Sequence, residues 1–182
     1  MRRTMELRRA NLSDETPVRA LVDAAYARWI PVIGARPEPM LRDYAAVLRQ
    51  HEVWVHCAPK GRIDAMLELV EAPDHLHIAN LAVSPERQGR GLGSALLRFA
   101  ESQAWRLQIF KLHLCLNREM TANQRLYERH GFIPAHVSRI DGLEIVFMAK
   151  SLRPVGTDRI PSGFALESPS VRSAAFGPPG TV

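Results

Sequence analysis

Cysteine is scarce: Cys57 and Cys115 are the only two in 182 residues. Both fall in strand-like segments, and two thiols make a poor disulfide framework. They read as buried small residues. Long apolar runs are missing too. None approaches the roughly 18 residues of a membrane helix. The basic start, Met1 to Arg9, has no apolar stretch behind it, so no secretory leader is expected. A reducing, cytoplasmic setting without a membrane partner follows as an expectation. Lysine is nearly absent as well. Lys60, Lys111 and Lys150 stand against 21 arginines. The net charge of +5 and the pI near 9.8 invite a nucleic-acid reading. However, the arginines are interspersed with acids such as Glu15, Asp23, Asp43 and Glu101, and no basic stripe carries interleaved aromatics. No nucleic-acid partner is expected. His75-x-His77, even with His113 nearby, lacks a cysteine or carboxylate at ligand spacing, so no metal is expected.

What remains is an ordinary globular composition, 46% hydrophobic and 24% charged, long enough for one sizeable core. A short strand over 5–10 precedes the caps Ser13 and Asp14, with Pro17 in a first turn. Val18, Leu21, Val22, Ala25 and Trp29 then recur at helical spacing. A loop rich in proline leads to a second helix over 40–50, with Leu41, Tyr44, Val47 and Leu48 on one face. Strands follow at 53–57, 63–70 and 76–83. A glycine turn runs into a long helix over 91–106. A strand at 111–116 and a helix at 123–130 come next, the helix closed by Gly131. Strands at 135–140 and 143–149 are joined by Asp141-Gly142, a strong hairpin signal. The order is β-α-α-β-β-β-α-β-α-β-β, an α/β fold on one central mixed sheet. Residues 1–152 read as the domain. Residues 153–182, rich in Pro, Gly and Ser, read as a disordered tail.

The chemistry concentrates at Leu81-Ala82-Val83-Ser84-Pro85-Glu86-Arg87-Gln88-Gly89-Arg90-Gly91-Leu92-Gly93-Ser94. A strand ends, three alternate glycines follow, and an apolar helix begins. The first turn of a helix has unpartnered N–H groups and the positive end of the dipole. Glycines let a phosphate approach the backbone, and Arg87 and Arg90 add charge. The dinucleotide fingerprint fails, because Ser94 stands where its third glycine belongs, and no ribose-binding acid follows in Leu112-His113-Leu114. A Walker loop fails for want of its lysine.

Gln88-x-x-Gly91-x-Gly93, approached through Asn80-Leu81-Ala82-Val83-Ser84-Pro85, resembles the acetyl-CoA motif of GCN5-related N-acetyltransferases (GNAT). Downstream, Asn123, Leu126-Tyr127-Glu128 and His130-Gly131-Phe132 are similar to that family's second signature, with Gln124 where alanine is commonest. The element order matches over residues 5–150. The resemblance implies a GNAT-like single domain and acetyl-CoA as co-substrate. It implies transfer of an acetyl group to a primary amine, by direct attack on the thioester. The pyrophosphate would rest on the backbone of Gln88, Gly89, Arg90, Gly91, Leu92, Gly93 and Ser94. Leu81, Ala82 and Val83 would bond the pantetheine arm like an added strand, and Asn123 would reach the cofactor from the next helix. Tyr127 would be the general acid, since a phenol stays protonated at neutral pH. His77 falls near the place of the family's base and titrates in a suitable range. Glu68 and Glu71 are alternatives, read otherwise as solvated surface acids. The acceptor, a small-molecule or peptide amine, would meet walls from Trp29, Pro31, Ile33, Pro37 and Met40, with Arg36 for a carboxylate. A non-catalytic acyl-CoA-binding domain is the competing class, and a homodimer is left open.

Overall fold

The computed structural model describes residues 5–59 and 61–152. The expected tail lies outside the described residues. Seven strands form one sheet: β1 (Leu7–Arg9), β2 (Glu52–Cys57), β3 (Ile63–Glu71), β4 (Leu76–Val83), β5 (Lys111–Asn117), β6 (Ile133–Ile140) and β7 (Leu143–Ser151). Their spatial order is β1-β2-β3-β4-β5-β7-β6. Only β4 and β5 run parallel, and every other neighbouring pair is antiparallel. Five helices flank it: α1 (Glu15–Tyr26), the single turn α2 (Ile30–Ile33), α3 (Tyr44–Gln50), α4 (Leu92–Arg106) and α5 (Thr121–Arg129). The expected β/α order is present, with α2 as an extra turn. No helix among the described residues is long and apolar enough to cross a membrane.

The sheet is covered on both faces. Val18, Leu21, Val22 and Ala25 of α1 pack with Tyr44 and Val47 of α3 over Val53, Val55 and Met66. On the other face, Leu96, Leu97, Ala100 and Ala104 of α4 lie on Leu67, Leu69, Ile78 and Leu114. Each large aliphatic side chain buried this way contributes about 1.5–3 kcal/mol. Helix α3 starts at Tyr44 rather than near 40, because the Asp43 carboxylate accepts from the Ala45 and Ala46 N–H groups. Residues Glu38–Leu41 form a separate 3₁₀ turn, and Leu41, expected on the apolar face, is exposed. In the β6–β7 turn Asp141 and Gly142 both have positive φ, 49° and 79°, which a two-residue hairpin of this type requires.

One irregularity positions the site. Glu68 pairs with Asn80 and Leu69 with Ile78, so the register skips Ala79. Such a bulge bends and twists its strand. Strand β4 is joined to β5 only through Leu76, His77 and Ile78. Past the bulge it keeps its pairing with β3, and no strand among the described residues pairs along its other edge. The two parallel strands therefore splay where β4 ends.

Candidate active site

The splay opens a cleft of about 430 Å³. Leu81, Ala82 and Val83 form one wall, and Gln88, Gly89, Gly91, Leu92, Gly93 and Ser94 form a second. Helix α5 contributes Asn123 and Tyr127. Of the residues expected to hold a cofactor, Arg90 alone is off this lining. Arg28, Arg87 and Arg129 also line the cleft, and no carboxylate among the described residues does. With the N-terminus of α4 at its edge, this is an electropositive slot suited to an anion.

The three glycines do different work. Gly89 and Gly91 have φ of +71° and +83°, and a Cβ on either would meet nothing within 4 Å. Their backbone conformation, not crowding, demands glycine, and it leaves the loop open above. At Gly93 a Cβ would lie 3.2 Å from Leu126 Cδ2, so its small size lets α4 approach α5. Sequence reasoning assigned all three to phosphate access.

Side chains lock the loop from both sides. Gln88 Nε2 donates to the Val83 carbonyl at 2.9 Å, and its Oε1 accepts from Arg28 at 3.0 Å. Arg28 in turn lies over the Trp29 ring. Arg87 Nε pairs at 3.1 Å with Asp64, a wholly buried carboxylate of β3 that also lies 2.5 Å from His56 Nδ1. The Asp64 carbonyl accepts from the Ser84 N–H at 2.8 Å. At the helix start, Ser94 Oγ is 2.9 Å from His130 Nε2.

Tyr127 lies in the core against Phe132 and Leu116 yet lines the cleft. Burial, with a smaller push from Cys115, holds its phenol above the ordinary value, so it is protonated at neutral pH. Tyr26 shares the lining, and its hydroxyl donates to Asn80 Oδ1 at 2.9 Å. Nothing in the sequence marks Tyr26 beyond its place beside the apolar stripe of α1.

Other expected residues stand elsewhere. His77 is off the cleft lining, opposite His113 on β5. Burial and the neighbouring His75 bring its imidazole down to about 4, a weak base for amine chemistry. His75 stacks on His113 with centroids 4.0 Å apart. No group of three or more potential ligands among the described residues is placed to hold a metal. Glu68 is not a surface acid: it is fully buried, bonded by Arg42 NH1 at 2.7 Å and 2.6 Å from His51 Nδ1. Glu71 is exposed, as expected of a solvated acid. Arg36 is exposed and pairs with Asp23 at 3.3 Å. Trp29 is mostly core and also lines the cleft. Cys57 and Cys115 are free thiols, half-buried rather than fully so.

Comparison with known proteins agrees with this architecture. Residues 18–132 match the model of the Acetyltransferase (GNAT) family. An IAA acetyltransferase from Bacillus cereus superposes with a TM-score of 0.63 at 21% identity, covering 81% of this chain and 99% of that one. A PaiA N-acetyltransferase from Thermoplasma acidophilum, solved in complex with coenzyme A, gives 0.65 at 17% identity, with 80% and 98% covered. The ribosomal-protein-S18-alanine N-acetyltransferase of Escherichia coli gives 0.63 at 20%, with 85% and 98% covered. These likenesses establish a shared fold. A search of curated proteins finds no match. The fold and the family model define an acyltransferase. The chain belongs to the GNAT acetyltransferase family and is an N-acetyltransferase.

Proposed function

We propose that the protein transfers an acetyl group from acetyl-CoA to a primary amine, by direct attack of the amine nitrogen on the thioester. The observation that carries this reading is the cleft itself. Among the described residues its lining holds three arginines and no carboxylate, along a glycine loop at a helix N-terminus and a strand edge without a paired strand. Coenzyme A offers the matching groups: a pyrophosphate for the loop and two pantetheine amides for the strand edge. A fold neighbour from Elizabethkingia anophelis was solved with acetyl-CoA bound, in keeping with this reading.

The backbone of residues 88–94 would hold the pyrophosphate, and Leu81, Ala82 and Val83 would align the pantetheine arm. Asn123 lies across the cleft from them. The co-substrate supplies an activated acetyl thioester. As the C–N bond forms and the C–S bond breaks, Tyr127, the buried phenol of the lining, would give its proton to the departing sulfur, the nitrogen would release one proton to solvent water, and solvent would return a proton to the phenolate. The protein adds proximity and fixed donors around the reacting carbonyl.

Thermal unfolding tests the assignment. Acetyl-CoA and free CoA at saturating concentration are expected to raise Tm by several degrees, while NAD leaves it unchanged, because only a ligand of the folded state stabilises it. Thiol release on adding a primary amine then reports turnover. No shift with either coenzyme would remove the cofactor assignment and every residue role above.

A further inference from the structure

The contacts of the amine are the unresolved half of this site. Strand β4, Leu76–Val83, carries no carboxylate. Among the described residues two glutamates pair with Arg42 near Asn80 of this strand. The first, Glu68, is already committed to Arg42 and His51. Arg42 is itself spent: its side chain is 15% exposed, its NH1 bonds Glu68 and its Nε lies 3.4 Å from Glu38. Little of its guanidinium is left for an incoming carboxylate.

Glu38 is different. It opens the 3₁₀ turn Glu38–Leu41, with 42% of its side chain exposed, and its single ion pair among the described residues is the long one to Arg42. The turn is fixed to the cleft by a chain of hydrogen bonds. Tyr44 Oη donates to the Pro39 carbonyl at 2.8 Å and accepts from Asn80 Nδ2 at 3.0 Å. Asn80 accepts from Tyr26, a residue of the cleft lining. The Glu38 carboxylate is near enough to the Cys115 thiol and the Tyr26 hydroxyl to raise both, and Tyr127 is felt at Tyr26 as well. One negative group with spare acceptor capacity is thus tied, through Tyr44 and Asn80, to Tyr26 of the cleft lining. The cofactor side is cationic; this side is anionic.

We propose that Glu38 is the anionic contact of the acceptor subsite, and that the acceptor is a cationic amine with no carboxylate beside its reacting nitrogen. The inference rests on the acetyl-transfer reading above. An ammonium gains from the half-buried carboxylate. An α-amino acid would set its own carboxylate against Glu38, with Arg42 already occupied and Arg36 engaged by Asp23.

Matched amines decide it. Agmatine and arginine share one primary amine and differ by the carboxylate next to it, as do tyramine and tyrosine. With acetyl-CoA saturating, thiol release is expected to give the decarboxylated member a kcat/KM higher by about tenfold in each pair. Glu38→Gln is expected to reduce that preference to about twofold or less, chiefly by raising KM, and Glu38→Asp to restore part of it. Thermal stabilisation by acetyl-CoA stays unchanged in both variants. Equal or better turnover of arginine and tyrosine would overturn the proposal, as would a preference that survives Glu38→Gln. A protein stabilised by acetyl-CoA that acetylates neither member of either pair also overturns it, with the cofactor reading intact. Absence of that stabilisation strikes the acetyl-transfer reading first.

Discussion

The two sides of the sheet at the end of β4 are built by opposite means. The proposed cofactor side is mainly backbone: a strand edge with no partner among the described residues, a loop with two left-handed glycines, and a helix N-terminus, all within residues 81–94. The proposed acceptor side is side chains: Tyr26, Glu38, Arg42, Tyr44, His51, Glu68 and Asn80, which come from two helices, a 3₁₀ turn, two connections and two strands. A site made of backbone tolerates change in most side chains but not in glycine. A site made of paired charges depends on each partner. If the two sides are independent, removing charge on the acceptor side lowers stability or turnover and leaves acetyl-CoA binding unchanged.

The largest effect is expected at Arg42. Arg42→Ala leaves the fully buried Glu68 with His51 as its remaining partner. Losing one member of a buried pair costs about 3–5 kcal/mol. Denaturant unfolding should show that loss as a lower midpoint with an unchanged slope. Acetyl-CoA should still stabilise the fraction that folds, because no Arg42 atom lines the cofactor cleft. Equal stability of the variant would show that Glu68 is held by other means.

Next comes Tyr127→Phe. The ring and its packing on Phe132 remain, and only the hydroxyl is lost. A general acid contributes about 100-fold or more. The expected outcome is a drop of about 100-fold in kcat with KM for acetyl-CoA within about twofold. Unchanged turnover would favour another proton source, and unchanged binding without any wild-type turnover would favour the non-catalytic acyl-CoA-binding class.

The contrast also explains what could be read in advance. Glycine spacing, helix caps and the Asp141-Gly142 hairpin are local signals, so the element order and most of the residues that line the cleft were legible. Only Arg90 of the expected cofactor set stands off the lining. Strand β3 misled. Its Glu68, like Glu71, reads as a solvated surface acid. In the fold α1 and α3 cover the side bearing Met66, and both Glu68 and Asp64 are fully buried with partners from other parts of the chain: Arg42 and His51 for Glu68, His56 and Arg87 for Asp64. No periodicity encodes such pairings. Leu41 failed for a related reason. Its helical spacing held only if the helix began near 40, and Asp43 caps it three residues later.

The smallest effect concerns His77, the base that strand register suggested. Both His77 and His113 are brought to about 4, chiefly by burial, with His75 adding to it. An unfolded histidine titrates near 6.5. Between pH 6.5 and 4 the unfolded chain therefore binds more protons than the folded one, and stability rises with pH across that window. Put the other way, acidification from 6.5 towards 4 removes stability that is fully present above 6.5. His77→Gln takes one such group out. The fall in Tm between pH 6.5 and 4.5 is expected to shrink by about 3 °C, while kcat at pH 7.5 stays within about twofold of the parent. A large loss of kcat at full cofactor affinity would return His77 to the reaction and weaken the division between the two sides. An unaltered acid profile would mean that solvent reaches the imidazole in the native state, and that β4 and β5 separate closer to His77 than their pairing indicates.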